Sequence, residues 1–156
     1  MWMIRAGRGG ENVEDFLRLG VATMGDTRLT TFTATFKKDD ILRLYAEKYP
    51  EEKEVTRAVW ASQLTRFIHE LKVGDEVATF DRERRKYLLG QISSDYEWKP
   101  GLIPDMPHVR QIKWRQEVSR DELSTATKNT LGAIMTLFKL GPDVEKGPAR
   151  ARRPAR

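Results

Sequence analysis

The chain of 156 residues contains no cysteine and has only two histidines, His69 and His108. Disulfides, thiolate metal sites and thiol nucleophiles are therefore excluded, as is a metal site built from three histidines. No apolar run approaches the roughly 18 residues that a membrane-spanning helix needs. The N-terminus also lacks the basic and apolar regions of a signal peptide. We therefore expect a cytoplasmic protein.

Outside its C-terminal end the chain has little net charge. The formal net charge is +5, but the last sixteen residues hold five basic and two acidic residues, which leaves +2 for residues 1–140. Overall basicity therefore does not by itself predict nucleic-acid binding. The last sixteen residues are rich in Pro, Gly, Ala and Arg. We expect one domain at 1–140 and a disordered basic tail at 141–156.

Hydrophobic periodicity within 1–140 predicts an α+β domain. The expected strands are 2–6, 21–24, 75–81, 86–98 and 108–118, and the expected helices are 11–19, 37–50, 54–71 and 119–132. Residues 25–36 fit either a loop or an edge strand. The charged turn RERR between two strands indicates a hairpin, which favours a mixed or antiparallel sheet. The sequence therefore predicts a small curled sheet or partial barrel with flanking helices.

The opening stretch MWMIRAGRGG places Gly7, Gly9 and Gly10 between a strand and a helix, where backbone N–H groups can bind an anion. A dinucleotide-binding fingerprint needs a glycine where Asn12 stands, so we expect no nucleotide cofactor. A tight turn is the simpler interpretation. Arg5 and Arg8 flank this turn, however, and guanidinium groups suit a phosphate or a base edge.

Two aromatic residues stand at the end of a predicted strand, just before a Pro-rich loop. Tyr96 and Trp98 are two positions apart and therefore point to the same side, which is typical of a platform on which a base stacks. Trp60 and Trp114 fit the apolar faces of their elements and are expected in the core. Trp2 either lines a pocket or closes the end of the barrel.

A metal-dependent nuclease is an alternative function. Nucleases of the restriction type place an acidic residue ahead of a Glu-x-Lys triplet on a strand, and the acids hold Mg²⁺. Glu97-Trp98-Lys99 follows a predicted strand, with Asp81 and Asp95 upstream. These residues would then be catalytic.

Three stretches together resemble a known family: WMIRAGRGGENVEDFLRLGVATMG, QLTRFIHELKVGDEVATFDRERRKYLLGQISSDYEW and PHVRQIKWRQEVSRDELSTATKNTLGAIMTLFKL. In order and spacing they are similar to the N-terminal domain of Mrr-type, modification-dependent restriction endonucleases. That domain is similar to the EVE, ASCH and YTH modules of the PUA-like superfamily. The resemblance implies a PUA-like (EVE-type) curled, mixed β-sheet or partial barrel with flanking helices.

The resemblance also implies a function. The expectation is a non-catalytic DNA-binding module of a restriction or defence system, which recognises a modified base by base flipping into an aromatic pocket. No cofactor or metal is expected, and a separate nuclease is a possible partner. An RNA-binding module on the same fold is a further alternative.

The residues implied in this binding fall into two sets. The base-binding pocket would comprise Trp2, Arg5, Gly7, Asn12, Gln63, Tyr96 and Trp98. The phosphate contacts would come from Arg8, Gly9, Gly10, Arg110, Lys113 and Arg115. Because side chains alternate along a strand, Arg110 points away from Lys113 and Arg115, so only one of these groups can face the DNA.

The chain departs from the family pattern in two ways. Relatives usually continue GVATMG with a tryptophan, whereas Asp26 stands here. If that tryptophan is a pocket wall, Trp98 or Phe32 would replace it. The stretch where a catalytic domain would follow is a short tail, so we expect a stand-alone reader, or else a fragment or a split system whose nuclease is on another chain.

Overall fold

The computed structural model describes residues 1–7, 10–25, 28, 35–122 and 124, together with two short strands near the C-terminus. The described helices are α1 (Val13–Leu19), α2 (Lys38–Lys48) and α3 (Glu54–His69), with a 3-10 turn at Arg120–Glu122. The strands are β1 (Trp2–Ile4), β2 (Val21–Met24), β3 (Glu76–Asp81), β4 (Lys86–Ile92), β5 (Glu97–Trp98), β6 (His108–Ser119), β7 (Leu137–Lys139) and β8 (Arg152–Pro154).

The strands form a mixed sheet in the order β2-β6-β4-β3-β1-β7, and β5 and β8 also pair with β6. β1 is parallel to β3, and the other strand pairs are antiparallel. The twelve-residue β6 pairs with β2 and β5 through its first half and with β4 through its second half, so the sheet curls around it. The predicted α+β class, a PUA-like curled mixed sheet with flanking helices, is confirmed.

A β-bulge interrupts the pairing of β4 with β6. The register shifts between Leu89 and Gly90, and a Cβ built on Gly90 would lie only 2.5 Å from the carbonyl oxygen of Lys113. No side chain fits at that separation, so the bulge requires glycine at this position. The bulge allows the second half of β6 to follow β4 while its first half turns away.

The helices lie where periodicity predicts them. α1 ends at Gly20, which has the left-handed conformation with φ 65°. The predicted apolar stripe of α3 is confirmed, because Leu64, Phe67 and Ile68 are buried and Trp60 packs against the same core. Trp114 also packs against this core. No described helix is long and apolar enough to cross a membrane.

The structure corrects one predicted strand. The expected strand 86–98 is two strands, because the chain turns after Ile92 and only Glu97–Trp98 resumes pairing with β6. At the turn, the Ser94 hydroxyl donates to the Asp95 carbonyl and accepts from the Gln111 backbone N–H. These bonds satisfy backbone groups without a sheet ladder.

Several predicted elements fall on residues that the structure does not describe. The expected helix 119–132 begins as the 3-10 turn, and its remainder lies almost wholly outside the described residues. Most of 25–36 and most of the tail at 141–156 also lie outside them, although Arg152–Pro154 is the strand β8. The predictions for these segments stay predictions.

We expect Gly90→Ala to lower the free energy of unfolding by about 1–3 kcal/mol, because the added methyl group must displace the Lys113 carbonyl. Urea denaturation measures this change. Ser93→Ala, three residues away on the exposed surface, is the control and should leave the midpoint unchanged. Equal midpoints for the two variants would contradict the structural role of the bulge.

Candidate functional site

Three separate segments meet beside the first residues of β6. The turn of residues 7–12 contributes Asn12, whose Nδ2 donates to the Met106 Sδ at 2.9 Å. The end of β2 contributes Thr23, whose Oγ1 donates to the same sulfur at 3.5 Å. The loop between β5 and β6 contributes Met106 itself, and His108 follows it as the first residue of β6. We call these three segments the junction.

Glycines allow the segments to approach each other. A Cβ built on Gly7, at φ +74°, would lie 2.7 Å from the Asn12 Nδ2, and one on Gly25 would lie 2.8 Å from the Pro107 Cδ. The Asn12 N–H donates to the Ala6 carbonyl at 2.8 Å, which closes the turn. Among the described residues of the opening glycine loop, this hydrogen bond brings Gly7 against Asn12. Arg8 and Gly9 lie outside the described residues.

Asn12 is the most adaptable polar group of the junction. Its amide nitrogen donates to a thioether sulfur, which is a weak acceptor. Its amide oxygen accepts no hydrogen bond within the described part of the chain, and the residue is half-buried. Asn12 can therefore offer a donor and an acceptor side by side to a ligand.

Tyr96, Trp98 and His108 form an aromatic group where β5 pairs with the first residue of β6, and we include this group in the junction. The imidazole of the fully buried His108 stacks on Tyr96, with 5.8 Å between the ring centroids, and meets Trp98 edge-on at 5.6 Å. The Tyr96 Oη lies 2.6 Å from the His108 Nδ1. Because both rings contact the imidazole, no base can insert between them. A base can stack only on the outer face of either ring.

Sequence reasoning missed His108, Met106 and Thr23 as members of this site. The sequence did contain a signal for His108. This residue lies two positions before Arg110 and four before Ile112, so side-chain alternation places all three on one face of β6. The structure shows that all three are buried. No sequence signal identifies Met106, since its role depends on segments that are distant along the chain.

Three residues expected in the base pocket have other surroundings. Trp2 is 5% exposed in the core, and its indole N–H donates to the Asp75 carboxylate. Gln63 is buried in the middle of α3. Arg5 follows the end of β1 and lies two positions after Met3, so its side chain points to the same side of the sheet. Met3 packs against Tyr87, and Arg5 also interacts with Tyr87. Burial lowers the pKa of Arg5.

Arg110 is a correction to the expected phosphate contacts. It is 3% exposed, and its guanidinium donates to the carbonyls of Phe67, Ile68 and Ser94 at 2.9–3.2 Å. Burial lowers its pKa, while the negative charges of Asp95 and Asp75 act in the opposite direction. The guanidinium therefore binds the carbonyl end of α3, where a cation is favourable, and is too buried to form the expected phosphate contact.

Other expected phosphate ligands remain accessible. Lys113 and Arg115 are exposed on the outward face of β6, opposite to Arg110 as strand alternation requires. Gly10 packs against β3, since a Cβ there would lie 3.2 Å from the Phe80 carbonyl oxygen. Phosphate binding by these residues stays a prediction.

The residues of the nuclease alternative are paired with cations or separated. Asp81 accepts from the Arg84 Nε at 2.6 Å. Glu97 lies 2.9 Å from the Lys99 ammonium and accepts from Gln111, and these partners hold its pKa below the usual value. Among the described residues, no group of three His, Cys, Asp or Glu side chains could hold a metal ion. No contact among the residues that the structure describes favours the nuclease mechanism.

Residues 2–141 match the sequence model of a family described as a domain of unknown function, DUF8426. No curated protein and no solved structure gives a significant match. The matched segment contains the whole junction and ends one residue beyond the domain expected at 1–140.

We expect Arg110→Met to destabilise the fold by at least about 2 kcal/mol, because hydrogen bonds to a charged group contribute about 1.5–3 kcal/mol each. Lys113→Met is the matched control, and its exposed side chain should change stability by less than about 0.5 kcal/mol. Thermal and urea unfolding measure both variants. An Arg110→Met protein as stable as the parent would overturn the helix-end role.

Proposed function

The chain belongs to DUF8426, a family of unknown function, and we propose that it is a non-catalytic nucleic-acid-binding domain that recognises a modified base, most directly in DNA. The base leaves its stack and binds at the junction. The resemblance to the N-terminal domain of Mrr-type endonucleases supports this proposal and favours a role in a restriction system. In that role a nuclease on another chain would do the cutting.

The junction carries the proposal. It combines the half-buried amide of Asn12, which has both a donor and an acceptor, with the half-buried indole of Trp98, two residues along the chain from Tyr96. An asparagine amide can form two hydrogen bonds with one base edge. An indole offers a flat apolar surface on which any base stacks. Together they would bind the edge and one face of a base.

The position of these groups supports base flipping as part of the proposal. Asn12 is half-buried in a turn, and the Met106 sulfur to which it donates is itself buried. Such a side chain cannot enter a duplex groove to reach a base that remains paired. A base must therefore be extruded before Asn12 can bind it, at a cost of a few kcal/mol.

Trp98 would also explain the change at position 26. Relatives usually have a tryptophan where this chain has Asp26, and the loop with Asp26 and Phe32 lies outside the described residues. The structure does describe Trp98, which pairs with His108 through the backbone and contacts its imidazole. In the proposal Trp98 takes the place of the missing aromatic wall.

Fluorescence polarisation with short duplexes tests the proposal. The duplexes differ at one base, which is unmodified, 5-methylcytosine, 5-hydroxymethylcytosine or N6-methyladenine, and each is titrated with the full chain at two salt concentrations. We expect one modified duplex to bind at least about fivefold more tightly, because one good base contact contributes about 1–3 kcal/mol. Since base contacts release few counterions, the preference should persist at the higher salt.

Variants separate base reading from phosphate binding. Asn12→Ala and Trp98→Ala should abolish the preference, whereas Ser62→Ala on α3 should leave it unchanged. Lys113→Ala with Arg115→Ala should weaken binding to all duplexes equally and reduce the salt dependence. Equal affinity for every duplex would refute the proposal. Tighter binding of unmodified single-stranded RNA would favour the RNA alternative instead.

A further inference from the structure

A cleft of about 430 Å³ lies between the end of α3 and the connection from β4 to β5. Ile68 and Leu71 give it an apolar side, and Lys72 stands at its rim. Asp95, Tyr96 and Arg110 form the opposite side and the floor. This volume lies in the range of small-molecule sites and leaves room for a nucleobase.

The Tyr96 ring is a pre-positioned wall of this cleft. Its hydroxyl is held by the His108 Nδ1 at 2.6 Å, one ring face stacks on the imidazole, and the Phe67 ring packs against it at 88°. Contacts from two sides leave the ring little freedom to rotate. A ligand that stacks there would lose little side-chain entropy of the protein on binding.

The polar groups of the cleft present both hydrogen-bonding characters. Four of the five N–H groups of Arg110 donate to carbonyls, and the fifth, on Nη1, forms no hydrogen bond within the described residues. Arg110 also forms no ion pair with a described carboxylate. Asp95 is exposed at the rim and offers acceptors. A neutral ring with a hydrogen-bond acceptor and an amino group matches this arrangement better than an anion, because Asp95 would repel a phosphate.

The cleft and the junction share an element. Tyr96 lines the cleft, Trp98 belongs to the junction, and both rings contact the imidazole of His108. Their centroids are each less than 6 Å from that of His108. Consecutive bases of an unstacked strand can stack on two aromatic side chains that lie close together, as Tyr96 and Trp98 do beside His108.

We propose that this cleft binds the nucleobase next to the one that is read, so that the domain holds two consecutive unstacked nucleotides. The neighbouring base stacks on Tyr96, accepts a hydrogen bond from Arg110 or Lys72 and donates its exocyclic amino group to Asp95. This inference rests on the proposed function. It adds a second subsite and a preference for cytosine or adenine over thymine at one flanking position.

The test replaces single bases by abasic sites. Single-stranded DNA oligonucleotides carry the preferred modified base and one abasic site, one or two positions away on either side, and are titrated with the full chain. We expect an abasic site at one adjacent position to weaken binding about fivefold or more, as expected for loss of one stacked base. Abasic sites two positions away should have little effect.

Three variants connect the effect to the cleft. In Tyr96→Leu the adjacent abasic site should no longer weaken binding, whereas Tyr96→Phe keeps the ring and should retain the effect. Asp95→Ala removes the acceptor of an exposed residue and should remove the preference for cytosine or adenine over thymine at that position, without loss of thermal stability. The Asp95 variant tests the cleft even if Tyr96→Leu fails to fold.

The outcomes distinguish the two proposals. A preference for the modified base with no effect of adjacent abasic sites overturns the second subsite and leaves the proposed function intact. An abasic effect without a preference for any modified base supports the cleft and refutes the reader. Insensitivity to both the modification and the abasic sites overturns both proposals.

Discussion

The rest of the structure depends on the hydrogen bonds that the buried guanidinium of Arg110 donates to backbone carbonyls. This guanidinium joins the carbonyl end of α3, the turn after β4 and the inward face of β6 through hydrogen bonds to Phe67, Ile68 and Ser94. Because Ser94 is held there, the chain leaves β4 and resumes pairing as β5 at the start of β6. That return places Tyr96 and Trp98 on His108. One buried cation therefore determines where the aromatic group of the junction can form.

Much of the fold follows from local patterns in the sequence. The stripe on α3, the stop at Gly20 and the four residues of β2 depend on neighbours within a few positions, and each is confirmed. The single strand expected at 86–98 was wrong for the opposite reason. Its alternation of residues continues through the turn, whereas the hydrogen bonds that end β4 come from Gln111 and Arg110, which are distant in sequence.

The site was less predictable than the fold. Gly7, Asn12, Tyr96 and Trp98 were identified from residue type and spacing, and the structure brings each of them to the junction or its aromatic group. Met106 and Thr23 carry no such signal, because a thioether gains a polar role only when donors from other segments meet it. Arg110 shows the converse difficulty. Residue type alone does not distinguish an arginine that binds a helix end from an arginine that binds a phosphate.

The parallel pairing of β1 with β3 has a consequence for how the domain forms. Trp2 and Met3 lie beside Val77 and Ala78, so the first strand pairs with residues about 75 positions later, and α1, α2 and α3 lie between them. Closing so long a loop is slow compared with forming a hairpin such as β3–β4. During synthesis β1 must emerge first and wait for β3. Until then the apolar faces of Trp2 and Ile4 have no sheet to cover them, so β1 joins the sheet only after the three helices that follow it have been made.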